Sequence, residues 1–253
     1  MDPDRQQTSH PRVLVIVPAY NEQRRIRVAL DDLRAQAPWA DVVVVDDGST
    51  DATARVARQC GVEVLSLPIN LGVGGAMQTG YLYARREGYD IAVQFDGDGQ
   101  HRANQIESLI EPLLDRRAEI VIGSRLTGKR QYRFSPLRWI GSRLLVGLMR
   151  LVTGKRISDP TSGFRAVSRE VIDFFARYYP ENYLGDTVEA LVLSARHGAR
   201  VTEVPARMRM TDQSSITSAA GVMHTFRICL AVLIDCMEAR LPADLTPKGE
   251  QDP

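Results

Sequence analysis

Short, continuous apolar runs alternate along the chain with segments of helical periodicity, and this alternation limits the possible folds more than any other feature. Five runs are predicted as strands, at Arg12–Val17, Val42–Val45, 62–68, 90–95 and 118–125. Unbroken apolar strands are typical of parallel sheets that are covered on both faces. Right-handed crossovers bring the carboxyl ends of such strands to one edge, where ligands bind. The pattern predicts an α/β fold, a mostly parallel sheet flanked by helices, with a binding site at that edge.

Helical patterns fill the gaps between the strands. They are predicted through Ile26–Leu33, after a cap within Ser49–Asp51, from the glycine loop at 70–80 to Gly88, and over about 103–116. Beyond the fifth strand, we expect an amphipathic helix over 135–154, a loop through 165, more helix, a strand pair within 200–210 and a last helix over about 218–240.

Length and composition describe an ordinary globular protein with one unusual region. The 253 residues suffice for one large domain with its own core, and a net charge of +1 gives no indication of a partner. From Ile120 to Ser158, however, there are nine Lys or Arg residues and no Asp or Glu. Such a basic zone suits phosphates or an anionic membrane surface. No nucleic-acid partner is expected.

The predicted organisation is a single domain over 12–215, a helical extension over 216–242 that packs on it, and flexible tails at 1–11 and 243–253. The three cysteines have no paired spacing, so a reducing cytoplasm fits better than a disulfide framework or a zinc site. No apolar run reaches the roughly 20 residues that span a bilayer. The protein is therefore expected to touch a membrane at most.

The fourth predicted strand ends in the sequence DGDGQH, residues 96–101. The carboxylates of Asp96 and Asp98 would repel each other, so holding both ionised requires a cation. Carboxylate oxygens suit Mg²⁺ or Mn²⁺, whose coordination is usually completed by water and phosphates. From these residues alone, a solvated acidic turn stays an equal alternative, and His101 is more simply structural.

Six stretches together carry a family resemblance. They are VIVPAYNE (15–22), VVVDDGSTD (43–51), NLGVGGAMQTG (70–80), DGDGQH (96–101), IGSR (122–125) and DPTSGFR (159–165). By these six stretches, which occur in the same order as in the family, the chain resembles the family 2 glycosyltransferases with a GT-A fold. Among them it resembles most the polyprenyl-phosphate sugar synthases. The glycines at 72–75 do not fit a dinucleotide fingerprint instead, because Met77 stands where its third glycine is needed.

The resemblance implies a nucleotide-sugar donor and a Mg²⁺ or Mn²⁺ ion that bridges its diphosphate. The implied donor-binding residues are Pro18, Tyr20, Glu22, Asp46, Asp47, Gly72, Asp96 and Arg209. The implied metal ligands are Asp96, Asp98 and Gln100, with Asp98 also counted as catalytic.

The acceptor decides which further groups the reaction needs. A phosphate is already ionised, so it needs cations rather than a base. The resemblance implies Arg125, Arg138 and Ser142 for that task, within the basic zone. The alternative for this region is a core-packing helix with a solvated basic face. Asp159 is a further candidate, or it fixes its own tight turn.

A hydroxyl acceptor would instead need a general base, for which Asp186 and Glu189 are the candidates. A third possibility is a nucleotide-sugar-binding protein without turnover. The expected partners are the donor, a polyprenyl phosphate, the inner face of the membrane reached from the cytoplasm, and possibly a separate membrane protein.

Overall fold

The computed structural model describes residues 11–127, 146–147, 149–150, 154, 157–180 and 186–209. Most of the predicted 135–154 helix, the predicted 218–240 helix and both predicted tails lie outside these residues. Within the described part of the chain, no helix has the length and apolarity to cross a bilayer.

Seven strands of the described residues form one sheet. They are β1 (Val13–Ala19), β2 (Asp41–Asp46), β3 (Glu63–Ser66), β4 (Ile91–Gln94), β5 (Ile120–Ser124), β6 (Arg165–Ser168) and β7 (Val201–Pro205). Their order across the sheet is β3-β2-β1-β4-β6-β5-β7. Every neighbouring pair is parallel except the two pairs that contain β6. The predicted α/β class with a mostly parallel sheet is confirmed.

Helices connect these strands and cover both faces of the sheet. They are α1 (Ile26–Gln36), α2 (Thr53–Gln59), α3 (Gly72–Arg86), α4 (Ile106–Leu114), α5 (Arg169–Tyr178) and α6 (Asp186–Arg196). A single 3₁₀ turn at Ala103–Gln105 precedes α4, so the helix predicted over 103–116 is tighter at its start and ends earlier.

Two hydrophobic cores lie on opposite faces of the sheet, because successive strand residues point in opposite directions. Leu14 and Ile16 of β1 pack into the core built with α3, α5 and α6. Val13 and Val15 pack into the core built with α1 and α4. Gly80 lets α3 approach β1 closely, since a Cβ there would overlap the side chain of Ile16. Burial on both faces is the reason why the strand sequences are continuously apolar.

Two sequence predictions about strands are wrong. Strand β6 begins at Arg165, where the predicted loop ends, and continues through Ser168, where helix is predicted; it pairs antiparallel with both β4 and β5. Of the strand pair predicted within 200–210, only β7 forms, and residues 206–209 are not in a strand. The cap predicted within Ser49–Asp51 is one residue too early, since Ala52 is the N-cap of α2 and has no side-chain cap, although Asp51 Oδ1 accepts the Thr53 N–H at 2.9 Å.

Candidate active site

Loops that follow the carboxyl ends of three parallel strands are joined at one edge of the sheet. The Asp47 N–H donates to the Ala19 carbonyl at 2.9 Å, and the Gly97 N–H donates to the Pro18 carbonyl at 3.3 Å. These backbone bonds join the loops after β2 and β4 to the end of β1. Motifs that lie far apart in the sequence are therefore held side by side.

A cleft of about 340 Å³ opens at this edge. Its walls come from the loops after β1, β2 and β4, from the start of α3, from the segment before β6 and from the first turn of α6. The lining residues are Pro18, Ala19, Tyr20, Glu22, Asp47, Val73, Ala76, Gln94, Asp96, Gly97, Asp98, Thr161, Gly163 and Thr187. The structure thus brings together six residues that the sequence predicted for the site, namely Pro18, Tyr20, Glu22, Asp47, Asp96 and Asp98.

Carboxylates concentrate negative charge in the cleft. Burial, and then the neighbouring charge of Asp96, raise the pKa of Asp98. Burial also raises the pKa of Glu22, against the opposing effect of Arg25, and the charge of Asp98 adds to the rise. Each of these shifts means that the ionised form is less stable here than in water. A cation in the cleft would relieve that cost.

The DGDGQH loop holds its two aspartates through local hydrogen bonds. Asp98 Oδ1 accepts the Gln100 N–H at 2.9 Å, and the Asp96 N–H donates to His101 Nδ1 at 3.0 Å. His101 is buried, with its ring 4.9 Å from that of Phe164, and burial lowers its pKa. A neutral imidazole that accepts at Nδ1 carries its proton on Nε2, which lies 3.5 Å from Asp96 Oδ2. His101 therefore positions Asp96.

The two aspartates after β2 have different surroundings. Asp47 Oδ1 accepts the Leu71 N–H at 2.7 Å at the start of α3, and burial raises the pKa of the Asp47 carboxyl. Gly72 begins α3 with φ of +80°, a conformation that favours glycine. Asp46 is buried, accepts the Ser49 N–H at 3.4 Å and does not line the cleft.

Arg125 forms an ion pair behind the cleft. Its Nε and Nη2 each lie 2.7 Å from one oxygen of the buried Asp159, in a bidentate arrangement. Arg125 Nη2 also donates to Thr161 Oγ1 at 3.0 Å, and Thr161 lines the cleft. Asp159 thus fixes the guanidinium of Arg125.

Arg209 lies behind the DGDGQH loop and does not line the cleft. Its Nη2 is 2.7 Å from Asp32 Oδ1, its Nη1 donates to the His101 carbonyl at 3.0 Å, and its N–H donates to the Gln100 carbonyl at 2.8 Å. In this position Arg209 supports the loop that carries the aspartates.

Some predicted residues lie at the margin of the described chain. Glu189 is buried in α6 and does not line the cleft, although Thr187 of the same helix does. The side chain of Asp186 lies outside the described residues, as do Arg138 and Ser142.

Comparisons with known proteins agree with this arrangement. The family model described as "Glycosyl transferase family 2" matches residues 14–175. The chain belongs to glycosyl transferase family 2. The predicted family and enzyme class are thereby confirmed, and the matched segment contains β1 to β6 with all three loops that build the cleft.

Individual relatives cover most of the chain. An undecaprenyl-phosphate mannosyltransferase from Micrococcus luteus is 35% identical over 248 residues, which cover 91% of this chain and 99% of that protein. A UDP-N-acetylglucosamine–dolichyl-phosphate N-acetylglucosaminyltransferase from Methanococcus voltae is 29% identical, covering 88% of this chain and 95% of that protein.

Solved structures share the fold. Glucosyl-3-phosphoglycerate synthase from Mycobacterium tuberculosis, crystallised with Mn²⁺, UDP and glucosyl-3-phosphoglycerate, superposes with a TM-score of 0.67. The superposition covers 89% of this chain and 79% of that chain at 21% identity. The GT-A class predicted from the motifs is confirmed by this likeness.

The carboxylate oxygens of this family 2 cleft suit a hard cation that leaves some of its coordination positions open for a bound ligand. Among the described residues, no three or more His, Cys, Asp or Glu side chains are placed to hold one ion. Asp96 and Asp98 offer two carboxylates, and Mg²⁺ typically binds to one or two carboxylates plus water and substrate phosphates. The residues present therefore fit Mg²⁺ or Mn²⁺ held jointly with a diphosphate.

Eight lining residues of this family 2 site have no predicted role, and four of them lie at the end of β4, before β6 and on α6. Gln94 is predicted only as a strand residue, and no role is predicted for Thr161, Gly163 or Thr187, although Thr161 and Gly163 belong to the DPTSGFR stretch. The missed antiparallel strand β6 explains most of this. Because β6 pairs with β4 in the register Gln94↔Arg165, the residues just before β6 lie beside the aspartates.

Arg165 holds these missed residues in place. It is fully buried, and its guanidinium donates to the carbonyls of Ser162 at 2.7 Å and Thr187 at 3.0 Å. It thereby connects the segment before β6 to the first turn of α6, which are the two walls opposite the β1 loop.

Proposed function

We propose that this protein transfers a sugar from a nucleotide-sugar donor to a polyprenyl phosphate, with inversion at the sugar carbon and with a divalent cation. The observation that carries the proposal is the cluster of carboxylates with raised pKa in a cleft at the carboxyl edge of the sheet. Two relatives that align over most of the chain are named for transfer to undecaprenyl and dolichyl phosphate, which supports this acceptor class.

The donor would lie along the cleft with its base at the β1 side. Tyr20 is 45% exposed and offers a flat surface to a base, beside Pro18. Glu22 offers a hydrogen-bond acceptor. Asp46, Asp47 and Gly72 stay predicted donor residues that act through the loop after β2 and the start of α3.

Asp96 and Asp98, with Gln100, would hold a Mg²⁺ or Mn²⁺ ion. When bound, this ion neutralises the charge that develops on the departing nucleoside diphosphate. A solved structural neighbour was crystallised with Mn²⁺ and UDP together, which supports this cofactor class. His101 and Arg209 keep the loop of the two aspartates in place from behind.

The chemical step exchanges one bond at the sugar carbon for another. A phosphate oxygen of the acceptor forms the new bond to C1, and the bond from C1 to the diphosphate oxygen breaks with its electron pair. No proton has to be removed, because the acceptor phosphate is ionised. The protein has to place two anions together, and Arg125, Arg138 and Ser142 are the residues proposed to lower that cost.

A hydroxyl acceptor is the second candidate, and a specific observation favours it. Arg125 is already bound bidentately by Asp159, so part of its charge is compensated before any phosphate arrives. Thr187 places the first turn of α6 in the cleft wall, next to Asp186 in the sequence. In this version, Asp186 or Glu189 would remove the proton of the hydroxyl.

The proposed setting is the inner face of the membrane, reached from the cytoplasm, because a polyprenyl chain stays in the bilayer. The basic zone would contact that surface, alone or with a separate membrane protein. We also propose the domain division predicted above, with the transferase domain at 12–215 and the following helix packed on it.

The test uses the full chain with Mn²⁺ and three donors: UDP-glucose, UDP-N-acetylglucosamine and GDP-mannose. Thermal shift identifies the donor, and transfer to a short polyprenyl phosphate is compared with transfer to the matching polyprenol. We expect transfer to the phosphate, lost in Asp98→Ala and with chelator. Full activity in both conditions would refute the metal-dependent mechanism, and donor binding without any transfer would indicate a non-catalytic protein.

A pair of variants separates the two acceptor classes. Arg138→Ala should reduce transfer strongly if the acceptor is a phosphate and only slightly if it is a hydroxyl. Asp186→Ala should show the opposite result, because only a hydroxyl needs a base.

A further inference from the structure

Gln94, at the end of β4, has an unsatisfied side chain in the wall of the cleft. Its side chain is buried, and its Nε2 donates to Asp96 Oδ1 at 3.2 Å. Its Oε1 is also buried and has no hydrogen-bond partner among the described residues. Such a group costs about 1–3 kcal/mol, and native proteins rarely keep one without a reason.

Electrostatics decides which end of this carboxamide faces Asp96. Exchanging its nitrogen and oxygen would place Oε1 about as close to the Asp96 carboxylate as Nε2 is now, with two acceptors facing each other. The group left without a partner is therefore the oxygen, which can only accept. A ligand that satisfies it must bring a hydrogen-bond donor.

Gln94 lies toward the β6 side of the cleft, because a Cβ at Gly163, just before β6, would lie 3.1 Å from Gln94 Nε2. Across the edge, the walls follow the order β2, β1, β4, β6. Pro18 and Tyr20 belong to the β1 side, the aspartates after β4 lie in the middle, and Thr161 and Thr187 form the far side. A nucleotide sugar has its base, diphosphate and sugar in the same linear order. With the base at β1 and the diphosphate at the aspartates, the sugar lies against the far side.

We propose that Gln94 Oε1 accepts a hydrogen bond from a hydroxyl of the donor sugar, which makes Gln94 a sugar-binding residue of the cleft. The inference rests on the proposed function, because it takes the positions of base and diphosphate from there. The terminal torsion of glutamine is broad, so a turn of the carboxamide brings Oε1 to the cleft surface. Sugar hydroxyls, unlike the diphosphate, are donors.

The experiment compares two affinities in the presence of Mn²⁺, that of the nucleotide sugar and that of the corresponding nucleoside diphosphate, UDP or GDP. The donor is whichever of UDP-glucose, UDP-N-acetylglucosamine and GDP-mannose the wild type binds best. In Gln94→Met, which keeps the length of the side chain but has no acceptor, we expect the nucleotide sugar to bind about 3- to 10-fold more weakly. Loss of the hydrogen bond from Gln94 Nε2 to Asp96 acts on both ligands through the metal site, so the diphosphate should weaken about 3- to 10-fold less than the nucleotide sugar does.

Two further variants make the result specific. Gln94→Glu keeps an acceptor oxygen, so the ratio of the two affinities should stay as in the wild type even if metal binding changes. Gln105→Met is the matched control, because the Gln105 carboxamide bonds to the backbone of Arg207 outside the cleft. Should Gln94→Met not fold in a thermal melt, Gln94→Leu takes its place.

The outcomes separate this inference from the function on which it rests. If Gln94→Met weakens the diphosphate as much as the nucleotide sugar, Gln94 acts only on Asp96 and its metal, and the sugar contact is refuted. Equal affinities in wild type and variant refute it as well. If the wild type binds none of the three donors, the proposed function itself fails. Deoxy-sugar donors would identify the hydroxyl. Removing the hydroxyl that binds Gln94 should weaken binding to the wild type but should not weaken binding to Gln94→Met.

Discussion

Gly163→Ala is the substitution whose effect on the site can be worked out most directly from the structure. A Cβ at Gly163 would lie 2.9 Å from Asp96 Oδ2 and 3.1 Å from Gln94 Nε2. Ordinary contact begins near 3.4 Å, so one side has to move by about 0.5 Å. The backbone here is held, because Ser162 Oγ donates to the Gly123 carbonyl at 2.7 Å. The Asp96 carboxylate, whose side chain is 35% exposed, is the group that can move.

A shift of this size is large for a preorganised ligand. Functional groups need to stay within about 0.5 Å of their productive position, and a misplacement of about 1 Å can cost roughly 10²-fold. We therefore expect Gly163→Ala to weaken Mn²⁺-dependent binding of the nucleotide sugar about tenfold, or about 1.4 kcal/mol. The tight contact should also lower the free energy of unfolding by about 1–3 kcal/mol.

Calorimetric titration of the donor with Mn²⁺ measures the first effect, and urea unfolding measures the second. Gly147→Ala is the matched control, because a Cβ at Gly147 would meet no atom of the described residues within 4 Å. This control should bind the donor like the wild type. A folded Gly163→Ala protein with wild-type donor affinity would refute the reasoning, since Asp96 would then not have to stay where the structure places it.

Three further predictions concern charge. Because burial and Asp96 raise the pKa of Asp98, Asp98→Asn should raise the Tm at pH 7 in chelator; an unchanged or lower Tm would contradict this. The raised pKa values of Asp98 and Glu22 mean that the folded protein holds protons more tightly than the unfolded chain. Without divalent cation, the free energy of unfolding should therefore fall as pH rises from about 4 through these raised values, and urea titrations that show no fall would exclude the effect. Asp159→Asn removes the charge that Arg125 binds and should cost about 3 kcal/mol of stability in urea unfolding, whereas a loss below about 1 kcal/mol would show that solvent compensates Arg125.

The sheet was predictable where burial alone decides the sequence. Strand β1 and residues Val42–Val45 of β2 are apolar because both faces of the sheet are covered, and that signal is local. Strand β6 has no such signal. It has four residues and begins with Arg165, and its antiparallel pairing with β4 and β5 is a long-range feature that no local pattern indicates.

The site was predictable to the extent that chain topology brings motifs together. The rule that parallel strands end at one edge suffices to place Tyr20, Asp47 and Asp98 around one cleft. The partners of the arginines do not follow from that rule. Asp159 binds Arg125 across 34 residues of sequence, and Asp32 binds Arg209 across 177, so each pairing depends on the assembled fold.

Charged and polar groups whose partners match them lie behind the cleft and hold its walls. Groups in unfavourable surroundings lie in the cleft itself. The guanidinium of Arg125 is matched by a carboxylate, and that of Arg165 by backbone carbonyls. In the cleft, by contrast, Glu22 and Asp98 are held in surroundings that oppose their charge, and Gln94 Oε1 has no donor in the part of the chain that the structure describes. A cation relieves the first cost and a hydroxyl relieves the second, so a single ligand, a metal-bound nucleotide sugar, would remove both. Because groups left unfavourable in the free protein add to ligand affinity when they are satisfied, the cleft would bind the proposed donor more tightly at the expense of its own stability.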